Sequence, residues 1–203
     1  MGKCLVYIDG FNLYHAIADS PLFRRFKWLN LSKFANCFLP SKDALVGIKY
    51  FTAYTTWDLE KVKRHKVYVK ALEYYNVEVI LGQFRYVDKT CRRCGQAYNT
   101  FEEKRTDVNI AINLFQAAIN DVWDTALIVS GDSDLIPAIE AVKRSFPSKK
   151  VGIVIPIGRR AEELKQVGDF HRKVKLKHLE TCQLDDVIDI GEGVKIERPD
   201  HWK

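Results

Sequence analysis

The stretch that decides the fold lies close to the start of the sequence: Lys3–Asn12, which reads KCLVYIDGFN. Five consecutive apolar or aromatic residues, Cys4–Ile8, are typical of a strand that is buried on both faces of a sheet. The strand ends at Asp9-Gly10, and residues 12–18 have the pattern of a short helix. A buried strand that leads directly into a helix is typical of an α/β fold.

Strands and helices alternate along the rest of the chain. Apolar and β-branched runs predict further strands over 44–54, 77–82, 125–130 and 151–156. Apolar residues at helical spacing predict helices over 31–38, 59–75, 107–120, 133–146 and 162–167. This alternation implies a Rossmann-like three-layer α/β/α domain with a mostly parallel sheet. We assign residues 1–170 to this domain and the weakly patterned residues 171–203 to a C-terminal appendage.

The composition is that of an ordinary soluble protein, with 47% hydrophobic and 29% charged residues. No apolar run approaches the roughly 20 residues that cross a bilayer, so we expect no membrane partner. The first residues lack the cleavage site of a signal peptide, and scattered cysteines favour a reducing compartment, so we expect a cytoplasmic protein. The formal net charge of +6 is compatible with a polyanionic partner.

Four aspartates lie where predicted strands end or a helix begins. Asp9 ends the first strand, and Asp132 and Asp134 follow the fourth strand in the segment SGDSD, 130–134. Asp107 begins a predicted helix, where its charge also suits the helix dipole. Each acid alone has a structural explanation as a turn, a first-turn acid or a helix cap. Because the carboxyl ends of neighbouring parallel strands meet at one edge, the set predicts a shared site.

Clustered carboxylates repel one another unless a cation neutralises them. Hard oxygen ligands select Mg²⁺ or Mn²⁺, so we predict that one of these ions is bound. Such an ion can polarise a phosphodiester and lower the pKa of a bound water. The predicted ligands are Asp9, Asp107, Asp132 and Asp134.

Polar and basic side chains are expected around this acidic site. Asn12, three residues after Asp9, is placed to orient a phosphate or a metal-bound water, and Ser130 is placed to do so from the fourth strand. Basic residues would hold a nucleic-acid backbone through phosphate contacts that do not depend on its sequence. The substrate-binding residues that we predict are Ser130, Arg92, Arg93, Lys104 and Arg105.

A charged, loop-like insertion over about 84–104 precedes the helix that begins at Asp107. It contains Cys91 and Cys94 at the spacing of half a zinc knuckle, and a structural Zn²⁺ there would need two further ligands from a histidine or a second chain. The alternatives are a simple hairpin loop without metal, or a basic, aromatic flap that includes Arg92 and Arg93 and grips single-stranded RNA.

Three motifs occur in order along the chain: YIDGFNL at 7–13, EKRTDV at 103–108 and IVSGDSD at 128–134. Together they resemble the signature of the NYN domain family, in the LabA-like branch of the PIN-like nuclease superfamily. Leu135 stands where the family often has Phe. The resemblance covers residues 3–170 and rests on all three motifs jointly, because DGxN alone is a weak signal.

The resemblance implies a Rossmann-like sheet with strand order 3-2-1-4-5. It also implies a metal-dependent ribonuclease, with RNA, single-stranded or structured, as substrate and partner. The implied site consists of Asp9, Asp107, Asp132 and Asp134, with Asn12 beside them.

Other functions are compatible with the sequence. The same fold can serve as an RNA-binding or protein-interaction module with an idle site, because ligand spacing to a fraction of an ångström decides catalysis. A phosphatase of the haloacid-dehalogenase type also has an Asp at a strand end, but it needs a second acid two residues later, where this chain has Phe11. The oligomeric state stays open and includes a homo-oligomer.

Overall fold

A parallel sheet forms the centre of the computed structural model, which describes residues 1–203. The strands are β1 (Gly2–Asp9), β2 (Asp43–Thr52), β3 (Val77–Leu81), β4 (Gln83–Thr90), β5 (Ala97–Lys104), β6 (Thr125–Val129), β7 (Lys150–Ile155), β8 (Phe170–Lys173), β9 (Val187–Asp189) and β10 (Lys195–Glu197). The α-helices are α1 (Gly10–Ala18), α2 (Leu31–Asn36), α3 (Leu59–Tyr74), α4 (Thr106–Ile119), α5 (Ile136–Ser145), α6 (Glu162–Val167) and α7 (Leu176–Thr181). Short 3₁₀ turns cover Arg24–Phe26, Ser133–Leu135 and Asp200–Trp202.

The strand order in the main sheet is β3-β2-β1-β6-β7-β8, and every neighbouring pair is parallel. The five predicted strands correspond to β1, β2, β3, β6 and β7, so the fold class and the order 3-2-1-4-5 are confirmed. The sheet has one strand more than predicted, because β8 pairs with β7 at the edge. The strand order reverses between β1 and β6, and this is where ligands bind in open α/β sheets.

Helices cover both faces of the sheet, and the side chains of β1 alternate between two hydrophobic cores. Cys4, Val6 and Ile8 pack into a core of 28 buried residues to which α1, α2, α3 and α7 contribute. Leu5 and Tyr7 pack into a second core of 18 buried residues with α4, α5 and α6. Burial of one large aliphatic side chain contributes about 1.5–3 kcal/mol, so β1 is fixed firmly from both sides. The apolar run at the start of the sequence is thus a central strand.

The insertion is a regular antiparallel hairpin, which corrects the prediction of a loop-like segment. β4 and β5 pair without interruption from Gln83↔Lys104 to Thr90↔Ala97 and form a separate two-stranded sheet. The hairpin therefore projects its tip, residues 91–96, along two continuous strands.

The C-terminal segment packs into the first core. The predicted boundary at residue 170 coincides with the first residue of β8, and Val174, Leu179, Ile196 and Trp202 are buried in the same core as β1. β9 and β10 form a second small antiparallel sheet. None of the helices combines the length and apolar character that a membrane crossing requires.

Candidate metal centre

Asp9 lies at the carboxyl end of β1 and is 4% exposed. Ile8 pairs with Val129 of β6, so the residues that follow these two strands, Asp9 and Ser130, are neighbours at one edge. The Asp9 side chain caps α1: its Oδ1 accepts a hydrogen bond from the backbone N–H of Asn12 at 3.0 Å. Its Oδ2 accepts a hydrogen bond from the Ser130 hydroxyl at 2.8 Å. Both carboxylate oxygens are therefore held in fixed positions.

Gly10 allows the chain to turn at this point. A Cβ atom at residue 10 would lie 2.5 Å from the backbone oxygen of Phe51 and 2.8 Å from the ring of Tyr50. These contacts involve backbone and a buried ring, so a larger residue would force β1 and β2 apart. The Asp-Gly pair is thus required by packing as well as by the placement of the carboxylate.

The turn after β6 is tied to the turn after β1 by hydrogen bonds. Asn12 Oδ1 accepts a hydrogen bond from the Gly131 N–H at 3.0 Å, and Ser130 Oγ accepts one from the Asp132 N–H at 3.0 Å. Asp132 in turn caps the 3₁₀ turn that follows it, because its Oδ1 accepts from the Asp134 N–H at 3.0 Å. Asn12 and Ser130 therefore set the position of Asp132 relative to Asp9.

Asp107 reaches the same edge from the first turn of α4. The residue that precedes this helix, Arg105, has a left-handed backbone with φ 81°, which redirects the chain from β5 into α4. Glu103 stabilises the helix start: its Oε1 accepts hydrogen bonds from the Thr106 N–H at 3.2 Å and from the Thr106 hydroxyl. The hairpin and α4 together therefore determine where Asp107 lies.

Asp9, Asp107 and Asp132 form a cluster that we call the Asp trio. One carboxylate oxygen from each lies within 4.8 Å of the others. Asp134, the fourth predicted ligand, is exposed and lies outside this trio. The structure thus brings together three of the four predicted ligands, and the role of Asp134 as a ligand stays a prediction.

The Asp trio carries unfavourable electrostatics of its own. Partial burial, together with the negative charges of Asp132 and Asp9, raises the pKa of Asp107 to about 6. Burial also raises the pKa of Asp9, against the opposing effect of its hydrogen bonds from Asn12 and Ser130. Carboxylates held close together in a poorly solvated site favour either a proton or a cation.

The oxygen atoms of the trio fit a hard divalent cation. Asp9 Oδ1 and Oδ2 each accept one hydrogen bond from the protein, and each carboxylate oxygen has a second lone pair available for a ligand. Mg²⁺ and Mn²⁺ prefer such oxygen donors. The Asp trio can therefore bind a divalent metal ion.

The predicted substrate-binding residues lie at different distances from the trio. Ser130 is fully buried, and its hydroxyl is already engaged with Asp9 and Asp132. Arg105 is exposed just before α4. Arg92 and Arg93 are exposed at the hairpin tip, beyond β4, whose seven residue steps span roughly 24 Å at about 3.4 Å per residue. Of these residues, Ser130 is the one that contacts the trio, and its hydrogen bonds position Asp9 and Asp132.

Lys104, the remaining predicted substrate-binding residue, is exposed and lies at the base of the hairpin. Its ammonium group pairs with Glu102 at 2.7 Å. Glu102 also pairs with Lys89 across the hairpin, so its charge is shared between two cations. One carboxylate thus faces two ammonium groups, so this side of the hairpin has a net positive charge.

The Cys pair forms a tight turn at the hairpin tip. The Gly95 N–H donates to the Cys91 carbonyl at 2.8 Å, and Gly95 has a positive φ of 72°. Hydrogen bonds from the backbone at Cys94 and Arg93 lower the pKa of the Cys91 thiol. The chain brings no third His, Cys, Asp or Glu to this pair, since the Asp trio is the one group of three or more such residues. Zinc at Cys91 and Cys94 therefore lacks support within a single chain.

Two features of the site are absent from the sequence prediction. Glu103 lies within a quoted motif, but its function in capping α4 depends on the hairpin. A chain of aromatic rings also joins α1 to the hairpin: Phe11 contacts Phe84 with ring centroids 5.4 Å apart, Phe84 contacts Trp57 at 4.9 Å, and Trp57 stacks on Phe101 at 3.9 Å. Phe84 and Tyr86 at alternate positions of β4, with Phe101 in β5, are the sequence signal for this packing.

A family model described as NYN domain matches residues 3–174, which is most of the chain and contains all three acids of the trio. This chain belongs to the NYN domain family. Its α/β/α sheet is consistent with the PIN-like fold of that family.

Among the relatives of this NYN protein is 6-hydroxy-3-succinoylpyridine 3-monooxygenase HspA of Pseudomonas putida. The two sequences are 28% identical, and the alignment covers 97% of this chain and 74% of the relative. A crystal structure of a protein of unknown function from Vibrio parahaemolyticus is similar in fold, with a TM-score of 0.56 and 18% identity. That likeness covers 86% of this chain and 94% of the other, and it concerns the fold alone.

Proposed function

We propose that this NYN protein is a metal-dependent ribonuclease whose Asp trio holds Mg²⁺ or Mn²⁺ at a phosphodiester bond of RNA. The observation that carries the proposal is the placement of one oxygen each from Asp9, Asp107 and Asp132 within 4.8 Å of one another. Membership of a family related to PIN-like nucleases supports the same reaction class.

The residues of the trio have distinct contributions in this proposal. Asp9 is held by two hydrogen bonds and provides the fixed ligand, while Asp107 and Asp132 approach from α4 and from the turn after β6. A bound cation supplies charge that polarises the phosphate and lowers the pKa of a water. Asp134, exposed two residues after Asp132, would add negative charge near a bound cation. Asn12 and Ser130 are positioning residues.

RNA would be held mainly by phosphate contacts on the hairpin side of the trio. Lys104 and Arg105 lie between β5 and α4, next to Asp107 in the chain, and are exposed. Arg92 and Arg93 at the hairpin tip would contact nucleotides farther along the strand. Because such contacts do not read bases, we propose a substrate of single-stranded or structured RNA without strong sequence preference.

A cleavage assay with matched variants tests the proposal. Purified protein with Mn²⁺ or Mg²⁺ should cut a fluorescent RNA, and EDTA should stop the reaction. Asp132→Asn removes one ligand charge from the trio and should reduce the rate at least about a hundredfold, by analogy with other losses of transition-state charge stabilisation. Glu140→Gln, an exposed acid on α5, is the control and should cut at the wild-type rate.

Circular dichroism must show that Asp132→Asn is folded, so that loss of activity can be attributed to the site. Equal activity in wild type and Asp132→Asn would remove the assignment. If RNA binds but no preparation cuts it, the RNA-binding module with an idle site is the better description.

A second candidate function comes from the relative named as a monooxygenase. Its likeness extends over 97% of this chain, so it is not confined to a shared motif. In that case this protein would transfer one atom of O₂ to a hydroxypyridine and reduce the other atom to water with two electrons from a reductant. Mass spectrometry would distinguish the two: 6-hydroxy-3-succinoylpyridine incubated with protein, a divalent metal, a reductant and oxygen would yield an oxygenated product without RNA cleavage.

The phosphatase alternative is not supported by the site. Two residues after Asp9 the chain has Phe11, whose ring packs against Phe84 in the aromatic contacts between α1 and the hairpin. No second acid therefore lies at the position that such a mechanism requires.

A further inference from the structure

A second concave site lies next to the Asp trio, at the carboxyl ends of β1 and β2. Its walls come from α1, from Lys27 after the first 3₁₀ turn, from the end of β2 and the segment after it, from α3 and from the C-terminal 3₁₀ turn. Gly10, the residue after Asp9, lies in its lining. The position at the carboxyl ends of parallel strands is the usual place for a ligand in this class of sheet.

The cavity has the size and the walls for a single aromatic ring. Its volume is about 150 Å³, and a cavity of about this volume in another protein accommodates benzene. Tyr50 and Tyr68 are buried side chains of its lining, and Trp202 closes it from the C-terminal segment at 7% exposure. Flat aromatic surfaces favour a flat aromatic guest.

The polar part of the lining is positively charged. Its cations are Lys27, Lys61 and Arg64, and it also contains His65 and His201 but no Asp or Glu. Lys61 has a surface partner in Asp58 at 3.5 Å, whereas Lys27 and Arg64 pair with no acid. A bound anion could therefore pair with Lys27 and Arg64.

The charged form of Lys27 is destabilised by its surroundings. It is partly buried, with its ammonium group 5.6 Å from the centre of the Trp202 ring. Burial lowers its pKa, and the nearby charge of Arg64 lowers it further. Lys27 and Arg64 are two neighbouring cations with reduced access to water. A bound anion would offset their mutual repulsion and stabilise both charges.

One polar atom of the lining also lacks a partner. The Thr55 hydroxyl oxygen is buried and makes no hydrogen bond within the protein. His65, across the same cavity, uses Nε2 for a contact of 3.2 Å with Thr52 Oγ1, and burial lowers its pKa to about 4. A neutral histidine and an unpaired hydroxyl are suited to the polar edge of a heteroaromatic ring.

We infer that this cavity binds a single six-membered heteroaromatic ring that carries an anionic group, with the ring against the wall formed by Tyr50, Tyr68 and Trp202 and the anion at Lys27 and Arg64. Two sources offer this chemistry: the base and phosphate of a pyrimidine nucleotide, or a free heteroaromatic acid. The inference does not rest on the proposed cleavage of RNA, because none of the Asp trio lines the cavity.

Titration calorimetry on the full chain tests the inference with two anionic probes, nicotinate and uridine 5′-monophosphate. EDTA is present so that the Asp trio holds no cation. Nicotinamide and uridine are the matched neutral probes. We expect at least one anionic probe to bind roughly tenfold more tightly than its neutral counterpart, because hydrogen bonds to charged groups are stronger than neutral ones.

The pattern of binding identifies the source. Binding of nicotinate alone supports a free heteroaromatic acid, binding of uridine 5′-monophosphate alone supports a nucleotide, and binding of both supports the general class. Equal affinity for acidic and neutral probes, or no binding of either acid at millimolar concentration, overturns the inference.

Variants assign the binding to this cavity. Arg64→Gln should weaken the bound anionic probe about tenfold and leave its neutral counterpart unaffected. Lys70→Gln is the control on the same helix, since Lys70 is exposed and does not line the cavity. Lys27→Gln is the second test if Arg64→Gln lowers the melting temperature. Unchanged affinity in both variants would contradict the assignment, whatever the outcome of the RNA cleavage assay.

Discussion

At the scale of single residues, the geometry of the Asp trio depends on how Asp9 is held. Its side chain would be an ordinary helix cap if the bond to Asn12 at 3.0 Å were its one contact. The hydroxyl of Ser130 fixes the second oxygen at 2.8 Å and, through its bond from the Asp132 N–H, couples two acids of the trio. Ser130 thus orders the ligands without being one of them.

Ser130→Ala should weaken metal binding while leaving the fold intact. Loss of a group that orients metal ligands typically costs about 10–100-fold in metal affinity or activity. Mn²⁺ titration followed by calorimetry would measure the change. Ser133→Ala, which removes an exposed hydroxyl from the same turn, is the control. Wild-type Mn²⁺ affinity in Ser130→Ala would mean that Asp9 and Asp132 need no such coupling.

The titration of Asp107 gives a prediction for pH dependence. Its folded pKa is about 6 against an ordinary value of 3.8, so between these values the metal-free folded protein binds more protons than the unfolded chain. The contribution of Asp107 to the stability of the metal-free protein should therefore fall as pH rises through this range. A divalent cation relieves the same repulsion and competes with the proton, so it should raise the melting temperature more at pH 7.5 than at pH 5.

Differential scanning fluorimetry with and without Mn²⁺ measures this effect. Asp107→Asn is the informative variant, because its difference from wild type isolates the Asp107 share of the pH dependence and because it should lose most of the stabilisation by metal. A gain in melting temperature that is the same at both pH values would contradict the account.

At the scale of elements, the hairpin of β4 and β5 is the part that the sequence predicted least well. Its residues alternate, but the many charges and the absence of a common two-residue turn signal made the segment resemble a loop. What orders it is packing of Phe84 and Phe101 against Trp57, a residue that lies before α3 and is distant in the chain. Such a contact has no local signature.

The exposed arginines at the tip of the β4–β5 hairpin allow its proposed contact with RNA to be tested. Arg92→Glu combined with Arg93→Glu should weaken RNA binding and flatten its salt dependence, by about 0.7 in the logarithmic slope for each lost phosphate contact. Binding measured by fluorescence anisotropy between low and moderate salt would show this. Lys177→Glu with Lys195→Glu, two exposed lysines outside the hairpin, is the matched control. An unchanged slope would remove the hairpin from the RNA site.

At the scale of the whole molecule, the order of the central strands was predictable because apolar runs and motifs mark them strongly. β8 was not, because Phe170–Lys173 is short, mostly exposed and polar, and becomes a strand by pairing with β7. The C-terminal segment likewise joins the core through isolated residues such as Val174 and Trp202. The convergence of Asp9, Asp107 and Asp132 followed from strand ends, whereas the exposure of Asp134 depends on the geometry of one turn.

The central claim is that the Asp trio holds a divalent cation, and a crystal soaked in Mn²⁺ tests it most directly. Anomalous diffraction should show a peak between the carboxylates of Asp9, Asp107 and Asp132, at about 2.0–2.3 Å from their oxygens, as expected for a small divalent cation with oxygen ligands. The same soak of an Asp132→Asn crystal should give a weaker peak or none. A wild-type crystal without a peak at the trio, or with its peak elsewhere, would contradict the account.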